Sequence, residues 1–254
     1  MEFNQLVSLK EFAGVFTSLV CYSRIGIDNL LYSGGINLAM VLFVFGFPFL
    51  NPYLTTLMYL GPLWDQKNMY KTLASWLVSV CAQVGGACTA GTMHTRLKKM
   101  YGQEALNTTY TYISDLPAST CIADEMFAVL FVLVGLLHLM RALTNAILTR
   151  RFWDSDNKNA AALSIPLITC AVFLVVAITH AFPSANQSLH ITIFLAVIEA
   201  QSSDVCAYRS LGGFLGTLLA LTYYHLYYKD CWLDYIKQSD EPDNDGQIYN
   251  RSGS

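Results

Sequence analysis

The sequence predicts an all-α membrane protein: six transmembrane helices and two re-entrant half-helices arranged as an inverted repeat. Three observations lead there. Only 13% of the 254 residues are charged while 54% are apolar, where soluble domains carry about 25% charged residues. Six apolar runs reach the ~20 residues a helix needs to cross a ~30 Å hydrocarbon core. Each half also repeats one order of features, a Glu at the head of an apolar helix and later a short segment opening on Asn. A mean hydropathy of +0.40 agrees. A soluble enzyme of this length would still need a charged surface, and a net charge of −3 speaks against a nucleic-acid partner.

The first span is expected over 6–24, interrupted by Lys10 and Glu11 and closed by Arg24. No basic stretch precedes an uncharged core, so it reads as a span and not a signal peptide. The second is expected over 30–48. Asn51 to Leu60 follows, too short to span. Asn51 is suited to cap a helix there, and Pro52 is preset for its first position. The third span, 70–92, carries Gly85, Gly86, Ala87 and Ala90, small residues that let helices approach closely. The fourth, 119–140, contains Glu125, and the fifth, 160–181, ends beside His180. The second short segment, Asn186 to Val197, opens on Asn186-Gln187-Ser188, where Asn186 is likewise suited to cap a helix. Gln187 lacks the constraint that Pro52 supplies, so this helix should nucleate less sharply. The sixth span, 206–228, has Gly212 and Gly216 in GxxxG spacing.

Residues 1–228 thus form one membrane domain with halves at about 6–93 and 119–228, and 229–254 reads as a disordered cytoplasmic tail. Six spans put both termini on one side. Calling that side cytoplasmic places ten of the fifteen Lys and Arg residues inside, with Arg24, Arg96, Lys98, Lys99 and Arg209 outside, as the positive-inside rule favours. Asn107-Thr108-Thr109 then lies in an external loop open to glycosylation. Seven cysteines without a CxxC pair read as small core residues, not a disulfide framework or metal site. No cofactor is expected. HExxH, GxxxxGK[ST] and GxSxG are all missing, which argues against an enzyme.

Several stretches together resemble the major intrinsic proteins, the aquaporin family. Glu11-Phe12-Ala13-Gly14-Val15-Phe16 is similar to the family's opening helix, and Leu50-Asn51-Pro52-Tyr53-Leu54-Thr55 to its L-N-P-A-V-T half-helix start. Ala82-Gln83-Val84-Gly85-Gly86-Ala87 resembles a patch of its third span, and Tyr208-Arg209-Ser210-Leu211-Gly212 the start of its sixth. The altered triplets Asn51-Pro52-Tyr53 and Asn186-Gln187-Ser188, the second followed by Leu189 where the family has Arg, resemble the unorthodox, superaquaporin branch.

The resemblance implies a passive channel for water or small neutral solutes such as glycerol or hydrogen peroxide. The alternative is an aquaporin-like scaffold or organelle-homeostasis protein that does not conduct. It also implies that Glu11 and Glu125 hold the re-entrant loops, and that Leu189 and Pro183 stand at the selectivity constriction. A possible homotetramer in the endoplasmic reticulum, another intracellular membrane or the plasma membrane is implied as well. Two half-helices meeting at their N-termini would aim positive dipole ends at the centre, repelling cations while neutral dipoles pass. Tyr53, in place of a small residue, would either narrow that centre or turn its ring against a neighbouring helix.

Overall fold

A computed structural model describes residues 2–25, 49–63, 69–101, 117–148 and 184–230, together with 170, 173–174, 176–178 and 180–182. Its elements are α1 (Glu2–Ile25), α2 (Pro52–Leu60), α3 (Met69–Tyr101), α4 (Ala118–Leu148), α5 (Leu189–Val197) and α6 (Ser203–Tyr223), the last continued by a π-helical turn, Tyr224–Tyr228. Three helical stretches are long and apolar enough to cross a membrane: Met69–Tyr101, Ala118–Leu139 and Ser203–Tyr228. They coincide with the third, fourth and sixth expected spans. The expected span over 30–48, most of that over 160–181, Pro183, Asn107 and the tail beyond 230 lie outside the described residues.

Local chemistry accounts for the helix ends. Asn51 caps α2 in an extended conformation, its Oδ1 accepting from the Tyr53 N–H at 3.0 Å, with Pro52 at the first helical position. α2 stops at Gly61, whose N–H reaches the Leu57 carbonyl. Ser202 caps α6 by accepting from Val205 N–H at 3.3 Å, and Asp204 faces the positive end of that helix. α5 ends in a Schellman turn: Ala200 N–H returns to Leu195 O and Glu199 N–H to Ala196 O. Glu199 takes the left-handed conformation there, φ 59°, where glycine is usual.

The long helices pack as two pairs, α1 against α3 and α4 against α6. Glycine makes both contacts possible. A Cβ on Gly86 would fall 2.7 Å from the Phe12 carbonyl oxygen, and one on Gly212 would fall 2.5 Å from that of Ile122. Gly216 meets the Met126 carbonyl still more closely. The small-residue clusters therefore mark helix crossings, as expected.

The short helices tie the pairs together. Tyr53 and Leu57 of α2 are buried with Val129, Leu133 and Leu137 of α4 and Ala220 and Tyr224 at the end of α6. Phe194 and Leu195 of α5 are buried with Val15 and Leu19 of α1 and Ala87 and Ala90 of α3. Each short helix thus completes the core of the long pair from the other half of the chain. Leu73, Leu77, Phe127, Phe131, Leu211, Phe214 and Leu218 stay exposed on the outer faces. Helices apolar on their outer sides as well as inside belong in lipid.

The cysteines differ from the core expectation. Cys121 is buried, whereas Cys81 and Cys170 are exposed and Cys21, Cys88 and Cys206 half-buried. An apolar outer face accepts a thiol as readily as a core does.

Gly212→Leu should drive α4 and α6 apart, costing about 1–3 kcal/mol. Thermal denaturation in detergent should show a lowered midpoint. Leu211→Ala, on the exposed face one residue away, should leave it nearly unchanged.

Candidate functional site

The centre is built by two buried carboxylates, each gripping the chain just before a short helix. Glu11 of α1, 3% exposed, accepts from Phe49 N–H at 2.8 Å and from Leu50 N–H at 3.0 Å. Glu125 of α4, fully buried, accepts from Asn186 N–H at 2.6 Å. Leu50 (φ 58°) and Gln187 (φ 57°) both take the left-handed conformation, which costs a residue with a Cβ about 1–2 kcal/mol. A charge-assisted hydrogen bond from the clamped turn offsets that strain.

The grips differ in their third member. Gln83 of α3, buried, donates from Nε2 to Glu11 Oε2 at 2.8 Å and to Thr55 Oγ1 at 2.7 Å, joining α1, α2 and α3. Near Glu125 the corresponding neighbour is a cation. Arg209 of α6 is 2% exposed, donates from Nη1 to Asn186 Oδ1 at 3.0 Å and leaves Nε without a partner. Asp124, beside Glu125, accepts from Ser184 Oγ in the same loop. The first grip is neutral apart from its carboxylate. The second holds three charged side chains, with Asn186 bonded to both Glu125 and Arg209.

Asn51 joins the two segments directly, donating from Nδ2 to the Gln187 carbonyl at 3.1 Å. With Oδ1 occupied by the cap, one amide hydrogen remains for another acceptor. Asn186 is used differently. Its Nδ2 donates to Thr192 Oγ1 at 3.0 Å and lies 3.5 Å from Gln201 Oε1, while its Oδ1 holds Arg209.

This placement corrects the expectations at Asn186 and Arg209 and decides between the two stated for Tyr53. The second short helix starts at Leu189 with Ser188 as its N-cap, three residues beyond Asn186, and Asn186 caps nothing. The Asn nearest the apolar run is drawn back by Glu125 and Arg209, and Ser188 takes the extended cap position. Ser188 makes no side-chain cap bond. Leu189 is the first helical residue and packs half-buried against the Tyr53 and Leu57 cluster. Tyr53 turns against a neighbouring helix: it is 5% exposed and its ring lies on Gly213 of α6, where a Cβ would collide with it. Arg209, counted with external loops, is inside the bundle.

Sequence reading gave no role to Gln83, Arg209 or His190. His190 of α5 is buried with its Nδ1 2.5 Å from Ser188 Oγ. Arg209 and His190 each carried a signal, a lone polar or charged side chain inside an apolar run, where such groups are usually paired or functional. His138 meets Tyr223 Oη at 2.9 Å near the end of α6, and His180 is exposed. Among the described residues, no group of three His, Cys, Asp or Glu could hold a metal.

Arg209→Ala should strand Glu125 as a buried, unbalanced charge and cost about 3–5 kcal/mol. Adding Glu125→Gln to that variant should recover part of the loss. The yield of monodisperse protein and its melting midpoint across the double-mutant cycle would measure it; strict additivity would show that the two are not coupled. A scan against protein-family models finds no match for this chain, and a search of curated proteins finds none either.

Proposed function

We propose that this chain is a passive channel for water or small neutral solutes, built as six spans and two re-entrant half-helices related by an inverted repeat, in the manner of the unorthodox aquaporins. One observation carries the reading. Two nine-residue helices, each preceded by a carboxylate-held left-handed turn, meet through Asn51 Nδ2 and the Gln187 carbonyl. Short helices meeting at their N-terminal ends aim their positive dipole ends at one place. A cation approaching it is repelled, while a neutral molecule with an acceptor oxygen finds N–H donors.

In this reading Asn107 is an external glycosylation site, both termini are cytoplasmic, and the outer apolar faces meet lipid and, in a homotetramer of an intracellular or plasma membrane, three further copies. Catalysis and cofactors have no part in it.

A second reading, a channel-like scaffold that does not conduct, draws on Tyr53 and Leu189. Both fill the interior with apolar contacts beside the meeting point.

Stopped-flow light scattering on proteoliposomes separates the two. Water, glycerol or hydrogen peroxide should cross faster than in empty vesicles; equal rates for all three would favour the scaffold. Asn51→Asp should abolish most neutral flux. Its carboxylate still caps α2 but faces the Gln187 carbonyl oxygen without a proton to share. Flux and folding both unchanged in Asn51→Asp would remove this residue from the path.

A further inference from the structure

Ser188 holds in the second segment the place that Asn51 holds in the first. Phe49 and Asn186 give their N–H groups to the carboxylates, Leu50 and Gln187 are the left-handed residues, and Asn51 and Ser188 are the N-caps. Pro52 and Leu189 open the helices, so His190 stands where Tyr53 stands in the first half. The two rings have different surroundings. Tyr53 lies on Gly213 inside an apolar cluster, whereas His190 is hydrogen-bonded through Nδ1 to the N-cap residue itself.

His190 is 9% exposed, and among the described residues its one hydrogen bond is the Nδ1 contact with Ser188, which leaves Nε2 without a partner there. A serine hydroxyl that donates to Nδ1 leaves the proton on Nε2, aimed away from the serine. The opposite tautomer would leave the Ser188 proton unused in a buried place. Asn186 cannot serve in its stead, because its Oδ1 accepts from Arg209 and its two amide hydrogens go to Thr192 and Gln201. Gln187, whose carbonyl Asn51 reaches, directly precedes Ser188, so the pair sits within one turn of the meeting point.

We propose that the Ser188–His190 pair is the solute-binding group of the second half, presenting an imidazole N–H donor as the counterpart of the free Asn51 amide hydrogen. It recognises the oxygen of a neutral, water-like or hydroxyl-bearing solute. The proposal rests on the channel reading above and deepens it by assigning the second donor to His190.

Two measurements test it. In proteoliposomes of full-length chain, His190→Phe keeps the ring volume but removes the donor, and glycerol and water permeability should fall roughly fivefold to tenfold. His190→Gln, whose amide can donate from a similar place, should recover much of the loss; flux in His190→Phe equal to the unmodified chain would overturn the assignment. The second measurement needs no flux. With the native cysteines replaced, Ser188→Cys should react with a small water-soluble thiol reagent and be protected by molar glycerol, while Asn186→Cys stays unreactive. Reaction at 186 and not at 188, or at neither in folded protein, would overturn it. Labelling at 188 without measurable flux in any variant would uphold the pair as a polar site while the channel reading itself failed.

Discussion

The centre of this protein depends on two carboxylates, Glu11 and Glu125, buried inside the bundle. A charge inside an apolar bundle persists only when neighbouring groups compensate it. Glu11 and Glu125 find compensation in backbone N–H groups of the turns at 49–50 and at 186. The compensation works in both directions. The same bonds hold Leu50 and Gln187 in a backbone conformation their side chains disfavour, and that reversal lets a nine-residue helix begin in the interior. Removal of either carboxylate would leave orphaned amides and a strained turn with nothing holding it.

Between helices in lipid the hydrophobic effect supplies little, since the surroundings are as apolar as the side chains. Close approach and interior polar bonds must then decide how the elements sit. Gly86 on the α1–α3 crossing and Gly212 and Gly216 on the α4–α6 crossing bring backbones together. The polar bonds select which short helix goes where. Thr55 is held by Gln83, and Trp76 Nε1 of α3 donates to Thr56 Oγ1 at 3.0 Å, drawing α2 to α3 while its apolar face enters the α4–α6 core. α5 places Phe194 against His94 and the α1–α3 core in turn. Each half is therefore incomplete without the other.

Local signals were legible where one short stretch decides the outcome. Asn51-Pro52 specifies a helix start without help from elsewhere, and the glycine spacing of α6 specifies a close crossing. Three long apolar runs likewise became helices of spanning length. The second short segment was not legible in the same way. An Asn ahead of an apolar run looks like a cap, but Glu125, 61 residues earlier, and Arg209, 23 residues later, claim Asn186 before the helix begins. No local pattern encodes that competition. The charge tally failed at Arg209 for a related reason: it treats each cation as a loop residue, whereas a cation with an interior acceptor such as Asn186 Oδ1 can remain inside.

The two grips also show why matching positions need not carry matching residues. In the first half a neutral Gln83 completes the carboxylate, so the Asn51 side chain is free to cap α2 and reach across to Gln187. In the second the buried Arg209 guanidinium needs an acceptor, which Asn186 Oδ1 provides. Spending that amide on Arg209 removes it from the meeting point. The next polar groups along the chain, at the start of α5, are the Ser188 hydroxyl and the His190 ring it touches. Glu125 on α4 and Arg209 on α6 thus hold Asn186 from both sides, and the N-cap falls two residues further on, at Ser188.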